Sequence, residues 1–148
     1  MRIAIGSDHT GVELKAHLVA HVLGEYAVTD VGAHSADPVD YPDVARAVTK
    51  LIRRGDAERG ILICGTGIGM AMAAGKFPGI RAATCTDSYS AEMSRRHNDA
   101  NVLCLGARVL GMGLAEHIVR AWLAAPFEGG RHATRVGKLE DRSGGGSV

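Results

Sequence analysis

Short, wholly apolar runs recur along this chain, each closed by glycine or a polar residue and each followed by apolar residues at helical spacing. Ile3-Ala4-Ile5, Ile61-Leu62-Ile63-Cys64 and Val102-Leu103-Cys104-Leu105 are apolar at every position. A strand with that pattern is buried on both faces, as in a parallel sheet covered by helices. Tyr26 to Val31 and Ile80 to Cys85 read as two further strands. The helical faces between them are Val12, Ala16, Val19 and Leu23, then Ala45, Val48 and Ile52, then Met70 to Ala74. Another helix starts at a cap supplied by Asp87 or Ser88, and Leu114, Ile118 and Trp122 line the last clear one, which Pro126 ends. The expected fold is α/β: a three-layer, doubly wound domain around a five-stranded parallel sheet. A length of 148 residues suits one such domain. The closing Ser143-Gly144-Gly145-Gly146-Ser147 places a disordered tail at 143–148.

Composition then removes several function classes. The formal net charge is +1 and aromatic residues make up 4%, which gives neither an electrostatic footprint nor a stacking surface for nucleic acid. No apolar run is long enough to span a bilayer, so a membrane is not expected as a partner. The strand-like Arg2-Ile3-Ala4-Ile5 stands at the start with no signal peptide before it, and a reducing cytoplasm is the expected location. The three cysteines, Cys64, Cys85 and Cys104, form no CxxC pair, and neither a disulfide framework nor a zinc site is expected. His17 and His21 are four apart on a helix, but Leu18 stands where an H-E-x-x-H motif needs Glu, and no metal ligand is assigned.

In a doubly wound sheet, ligands bind beyond the carboxyl ends of the strands. Gly6-Ser7-Asp8-His9 follows the first strand, Gly65-Thr66-Gly67-Ile68-Gly69 the third, Thr86-Asp87 the fourth and Gly106-Ala107-Arg108 the fifth. Each alone reads as a loop or a helix cap; together they place polar groups on one sheet edge. The loop of residues 65–69 lets a backbone approach a phosphate or a developing oxyanion closely. Met70 stands where a dinucleotide fingerprint needs its last Gly, and also where a cysteine phosphatase needs Arg. No Gly-Lys-Ser/Thr follows, so the loop is not a P-loop either. Cys64 precedes this loop, where a helix dipole favours negative charge on sulfur; the bland alternative is a small buried hydrophobe. The glycine loop favours a reactive cysteine. His9 ends a strand and His97 ends a helix, and taken alone each is more often a structural cap than a catalytic group. Arg131 and Arg135 share a face if their segment is helical, and fit a phosphate clamp as well as a solvated basic tail. The residues alone thus give a phosphate-compatible site with a base and no metal or organic cofactor, and they name no reaction.

These same stretches resemble the type B ribose-5-phosphate isomerases and their relatives acting on galactose 6-phosphate. The matching residues are Gly6-Ser7-Asp8-His9, Asp40-Tyr41-Pro42, Ile63 to Gly69, Lys76-Phe77 and Gly79 to Ala82. They continue through Ser94-Arg95, His97 to Asn101, Gly106-Ala107-Arg108, Glu128 to His132 and Arg135. The resemblance implies a single Rossmann-like sugar-phosphate isomerase domain over 1–142, with 127–142 a phosphate-binding segment. It implies Cys64 as the base between C2 and C1, and His97 as the ring-opening acid, with Asp8 and Thr66 also catalytic. Gly65, Thr66, Gly67, Ile68 and Gly69 would hold the enediolate; His9, Arg108, Arg131 and Arg135 the phosphate; Asp8, Tyr41 and Asn98 the sugar. It further implies a homodimer or homotetramer with sites shared between subunits. Some members carry Ser where Cys64 stands and use Glu where Met70 stands, so this chain fits the cysteine-base subgroup. Two alternatives stay open. One is isomerisation of allose or galactose 6-phosphate or of erythrulose 4-phosphate. The other is a non-catalytic phosphosugar-binding module, which would need the arginines and glycines but neither Cys64 nor His97.

Overall fold

The computed structural model describes residues 1–140. The predicted tail at 143–148 lies outside the described residues, as do the last two positions of the 127–142 segment. Five strands, β1 (Arg2–Ser7), β2 (Ala27–Asp30), β3 (Arg59–Cys64), β4 (Ala82–Thr84) and β5 (Val102–Gly106), alternate with α1 (Val12–His21), α2 (Tyr41–Arg54), α3 (Ile68–Ala74), α4 (Ser88–Asn98) and α5 (Met112–Ala124). A further helix, α6 (Arg131–Glu140), follows. The strands form one sheet in the order β2-β1-β3-β5-β4, and every pairing is parallel. The expected three-layer α/β fold is the one observed.

Alternate strand residues point to opposite faces, and each face has its own helices. Ile3, Ile5, Ile61, Ile63, Leu103 and Leu105 pack with Leu14 and Leu18 of α1, Ala91 of α4, and Ile118 and Trp122 of α5. Ala4, Leu62, Cys64, Val102 and Cys104 pack with Val44 and Val48 of α2 and with Met70 and Ala74 of α3. Gly60 belongs to this second layer: a Cβ there would stand 2.7 Å from Val48 Cγ1, so glycine lets α2 lie close on β3.

Both edge strands are shorter than the apolar runs suggested. β2 covers Ala27–Asp30 and β4 only Ala82–Thr84. Each pairs on one side only, so its ends have fewer ladder bonds to hold them. Just ahead of β4, the Arg81 carbonyl still accepts the Val102 N–H of β5 at 3.3 Å, while its side chain turns to Asp99 and Glu140: Nε donates to Asp99 O at 2.8 Å, Nη2 to Asp99 Oδ2 at 2.9 Å and Nη1 to Glu140 Oε1 at 2.5 Å. Asp87, one of the two expected caps of α4, accepts the Ser90 N–H at 2.7 Å.

Candidate active site

The order β2-β1-β3 puts the topological switch between β1 and β3, because the chain leaves β1 to one side and enters β3 on the other. Ser7 and Ile63 are register partners, so Asp8 and Cys64 emerge side by side. Asp8 N–H donates to Ile63 O at 3.0 Å. The Asp8 carboxylate is buried and its Oδ1 accepts both the Thr10 N–H at 2.9 Å and the Thr10 hydroxyl at 2.6 Å. Thr10 was missed in the sequence; the Asp-x-Thr turn was its only signal. His9 Nδ1 accepts the Val39 N–H at 3.4 Å, which leaves Nε2 as the donor edge of the ring.

Cys64 closes β3 with 6% of its surface exposed. The Gly67 N–H donates to its Sγ at 3.2 Å. Helix α3 is only seven residues long, so what faces the sulfur is this single directed N–H rather than the dipole of a long helix. Gly67 has φ +79°, and a Cβ there would sit 3.0 Å from the Leu105 backbone. Gly106 faces the loop from the other side, where a Cβ would sit 2.9 Å from the Thr66 backbone. The loop is therefore held closely against β5. The Thr66 hydroxyl accepts the Ile68 N–H at 3.3 Å, and Ile68 is 56% exposed. Tyr41, the first residue of α2, lies against Gly69, where a Cβ would be 2.9 Å from the ring. The exposed Arg108 stem crosses Gly65 at 3.6 Å from a built Cβ, and Arg108 N–H donates to Gly65 O at 3.0 Å. Met70 is fully buried in the α2–α3 layer. The other cysteines are core: burial pushes Cys85 up to about 11 and Cys104 higher still.

The remaining candidates lie elsewhere. Asn98 ends α4, four residues before Val102 opens β5, so His97 and Asn98 sit at the amino edge of the sheet. Cys64 pairs in register with Gly106, the last residue of β5, at the opposite edge. His97 instead meets the segment leading into α6. Its ring stacks on His132 with centroids 4.2 Å apart and planes 2° from parallel. Glu128 Oε2 lies 3.8 Å from His97 Nε2 and 3.5 Å from His132 Nε2. Arg96 holds the same carboxylate through Oε1, from Nε at 2.7 Å and Nη2 at 2.6 Å. That contact first, then the nearby charges, keeps Glu128 below the usual carboxylate range. Burial first, then the charges of His97 and Arg131, lowers His132 below an ordinary histidine. Arg131 and Arg135 are exposed on α6 and have no ion-pair partner among the described residues.

His97, Glu128 and His132 are the one group of three close metal-type donors among the described residues, all within 4.8 Å of one another. By donor type they suit Zn²⁺. By geometry they do not, because each imidazole lone pair lies in its own ring plane and parallel planes never converge on one ion. His17, weighed above with His21, is paired through Nε2 to Glu116 Oε1 at 2.8 Å.

The first cluster has the form of a small-molecule site of a parallel α/β protein: a buried cysteine at a strand end, a close-approach glycine loop and an exposed arginine without an ion-pair partner among the described residues. Comparison with known proteins gives the class its family. The ribose/galactose isomerase family model matches residues 3–139, and the chain belongs to that family; it is an isomerase. It is 51% identical over 136 residues to ribose-5-phosphate isomerase B of Escherichia coli, covering 91% of each chain. It is 47% identical to a D-erythrulose-4-phosphate isomerase of Pectobacterium atrosepticum, covering 94% of this chain and 93% of that one. The structure of Clostridium thermocellum ribose-5-phosphate isomerase B superposes with a TM-score of 0.93 at 54% identity, covering 95% of this chain and 96% of that one.

Proposed function

We propose that the chain interconverts ribose 5-phosphate and ribulose 5-phosphate through an enediolate, using no metal or organic cofactor. The observation that carries this reading is the buried Cys64 sulfur, 3.2 Å from the Gly67 N–H and beside Asp8 at the switch point. In the open-chain aldose, the Cys64 thiolate takes the C2 proton. Electrons move through the C1–C2 bond onto O1, and N–H groups of Gly65 to Gly69 stabilise the oxyanion. The proton returns to C1 as O2 gives up its own, leaving a ketone at C2. Asp8, held in one orientation by Thr10, and Thr66 serve the hydroxyl proton transfers.

Ribose 5-phosphate is mostly a closed ring, so a proton must first pass from O1 to the ring oxygen. His97 is the acid of that step. Its position at the amino edge supports delivery to the Cys64 of a second copy, in a homodimer or homotetramer with shared sites. His9, Arg108, Arg131 and Arg135 bind the phosphate; the exposure of Arg131 and Arg135 on α6, without an ion-pair partner among the described residues, supports this, as does their place in the 127–142 segment. Tyr41 and Asn98 line the sugar.

The 47% identity to an erythrulose-4-phosphate isomerase supports a second reading, a four-carbon substrate in the same chemistry. Initial rates on ribose 5-phosphate, erythrulose 4-phosphate, allose 6-phosphate and galactose 6-phosphate decide between them. The highest kcat/KM is expected on ribose 5-phosphate; a higher value on another sugar phosphate overturns the assignment, and no turnover on any leaves only a binding module.

A further inference from the structure

His132 has no role in the reading above, and Glu128 none beyond its loop. Yet the two surround the imidazole to which ring opening is assigned. His97 stands in the last turn of α4 with 37% of its side chain exposed. An imidazole so placed would turn freely about its side-chain bonds, and an acid that must meet one ring oxygen gains from being held. Here it is held. The His132 ring lies flat against it at 4.2 Å. His132 is itself fixed, with 7% of its side chain exposed, on a helix that packs against α4. Glu128 is equally constrained: Arg96 takes Oε1 twice, and the Glu128 N–H donates to Arg96 O at 3.0 Å. Only Oε2 is left, and it faces both Nε2 atoms.

We propose that His132 and Glu128 are positioning residues for His97: His132 fixes the plane of the imidazole by stacking, and Glu128, anchored by Arg96, fixes its rotation within that plane by drawing the Nε2 edge. This rests on the reading of His97 as the ring-opening acid. The chemistry at position 132 agrees with it. Burial lowers His132 below an ordinary histidine, which favours the uncharged ring in a stack where a second cation would be repelled. What the position has to supply is a flat, uncharged ring. The parallel planes that exclude a shared metal ion are the same feature that makes the stack.

The test separates ring opening from enolisation. Ribose 5-phosphate needs both. Ribulose 5-phosphate is open-chain, and its exchange of C1 hydrogen with solvent deuterium needs only the base and the glycine loop. The parent, His132→Ala, His132→Phe, Glu128→Gln and His97→Ala are compared in both assays. His132→Ala should lose about 10–100-fold in kcat on ribose 5-phosphate, the scale of a misplaced catalytic group. Its KM, and its deuterium exchange on ribulose 5-phosphate, should stay near the parent's. Glu128→Gln should move the same way by less. His132→Phe, which stacks without titrating, should recover most of kcat, and it carries the test if the alanine variant does not fold. Parent-like kcat in His132→Ala, an equal loss in both assays, or a change confined to KM overturns the proposal. His97→Ala tells the two readings apart. If it keeps turnover of ribose 5-phosphate, the ring-opening assignment falls and takes the proposal with it. If it loses that turnover selectively while His132→Ala does not, the positioning role alone is wrong.

Discussion

Within a single loop, atoms on one side decide what Cys64 can do. Cys64, Cys85 and Cys104 are all buried free thiols, but among the described residues only Cys64 has a backbone N–H directed at its sulfur, and only Cys64 closes a strand at the switch point. Cys64→Ala should therefore abolish proton exchange at C2 while leaving binding of ribose 5-phosphate largely intact. Loss of a general base costs about 10²–10⁴ in rate, which solvent-deuterium exchange measures directly. Near-normal exchange would rule Cys64 out as the base. The loop's shape can be tested at Gly106, whose added Cβ would meet Thr66 backbone at 2.9 Å, whereas nothing lies within 4 Å at Gly24. Gly106→Ala should lower both kcat and the melting temperature, because backbone must move to admit the methyl group. Gly24→Ala should change neither kcat nor the loop, and equal effects of the two substitutions would show that the close approach has no consequence.

Among the elements, α6 was the least visible from sequence and carries the most side-chain chemistry. Arg131-His132-Ala133-Thr134-Arg135 has no apolar stripe, and His132 is the one buried residue of the helix. Docking depends on that histidine, which gives α6 a pH dependence whose sign follows from linkage. His132 is lowered below 6.5 in the folded chain, so the unfolded chain binds the extra proton first as pH falls. The contribution of His132 is complete above about pH 7 and is lost as pH falls through roughly 6.5 toward the folded value. Glu128 and Glu116, both held below the usual carboxylate range, lose their contributions only at lower pH. Chemical denaturation at pH 7.5 and 5.5 should show a smaller drop in stability for His132→Asn than for the parent. Equal drops would mean that His132 is protonated as easily folded as unfolded.

At the scale of the molecule, the two halves of the proposed site face away from each other. Cys64, Asp8 and the glycine loop lie at the carboxyl edge of the sheet, and His97, Asn98 and α6 at the amino edge. A two-fold partner presenting its amino edge would complete each site. Mixing inactive Cys64→Ala with inactive His97→Ala subunits should then restore a substantial fraction of turnover, because a mixed dimer carries one site with neither lesion. Mixed dimers that form yet stay inactive would place both groups in a single subunit's site. The strand–loop–helix alternation, the two-faced burial of the strands and the polar loops at their carboxyl ends were legible in the sequence. They follow from local periodicity, which side-chain burial imposes on neighbouring residues. The matched motifs extended that reading to a family and a set of site residues. The strand order was not legible, nor was the trimming of β2 and β4, the Asp8–Thr10 clasp or the stack of His132 on His97. The clasp is local, and its Asp-x-Thr turn was the signal passed over; the others depend on which distant segments meet, and only the packed chain brings Glu128 and His132 to His97.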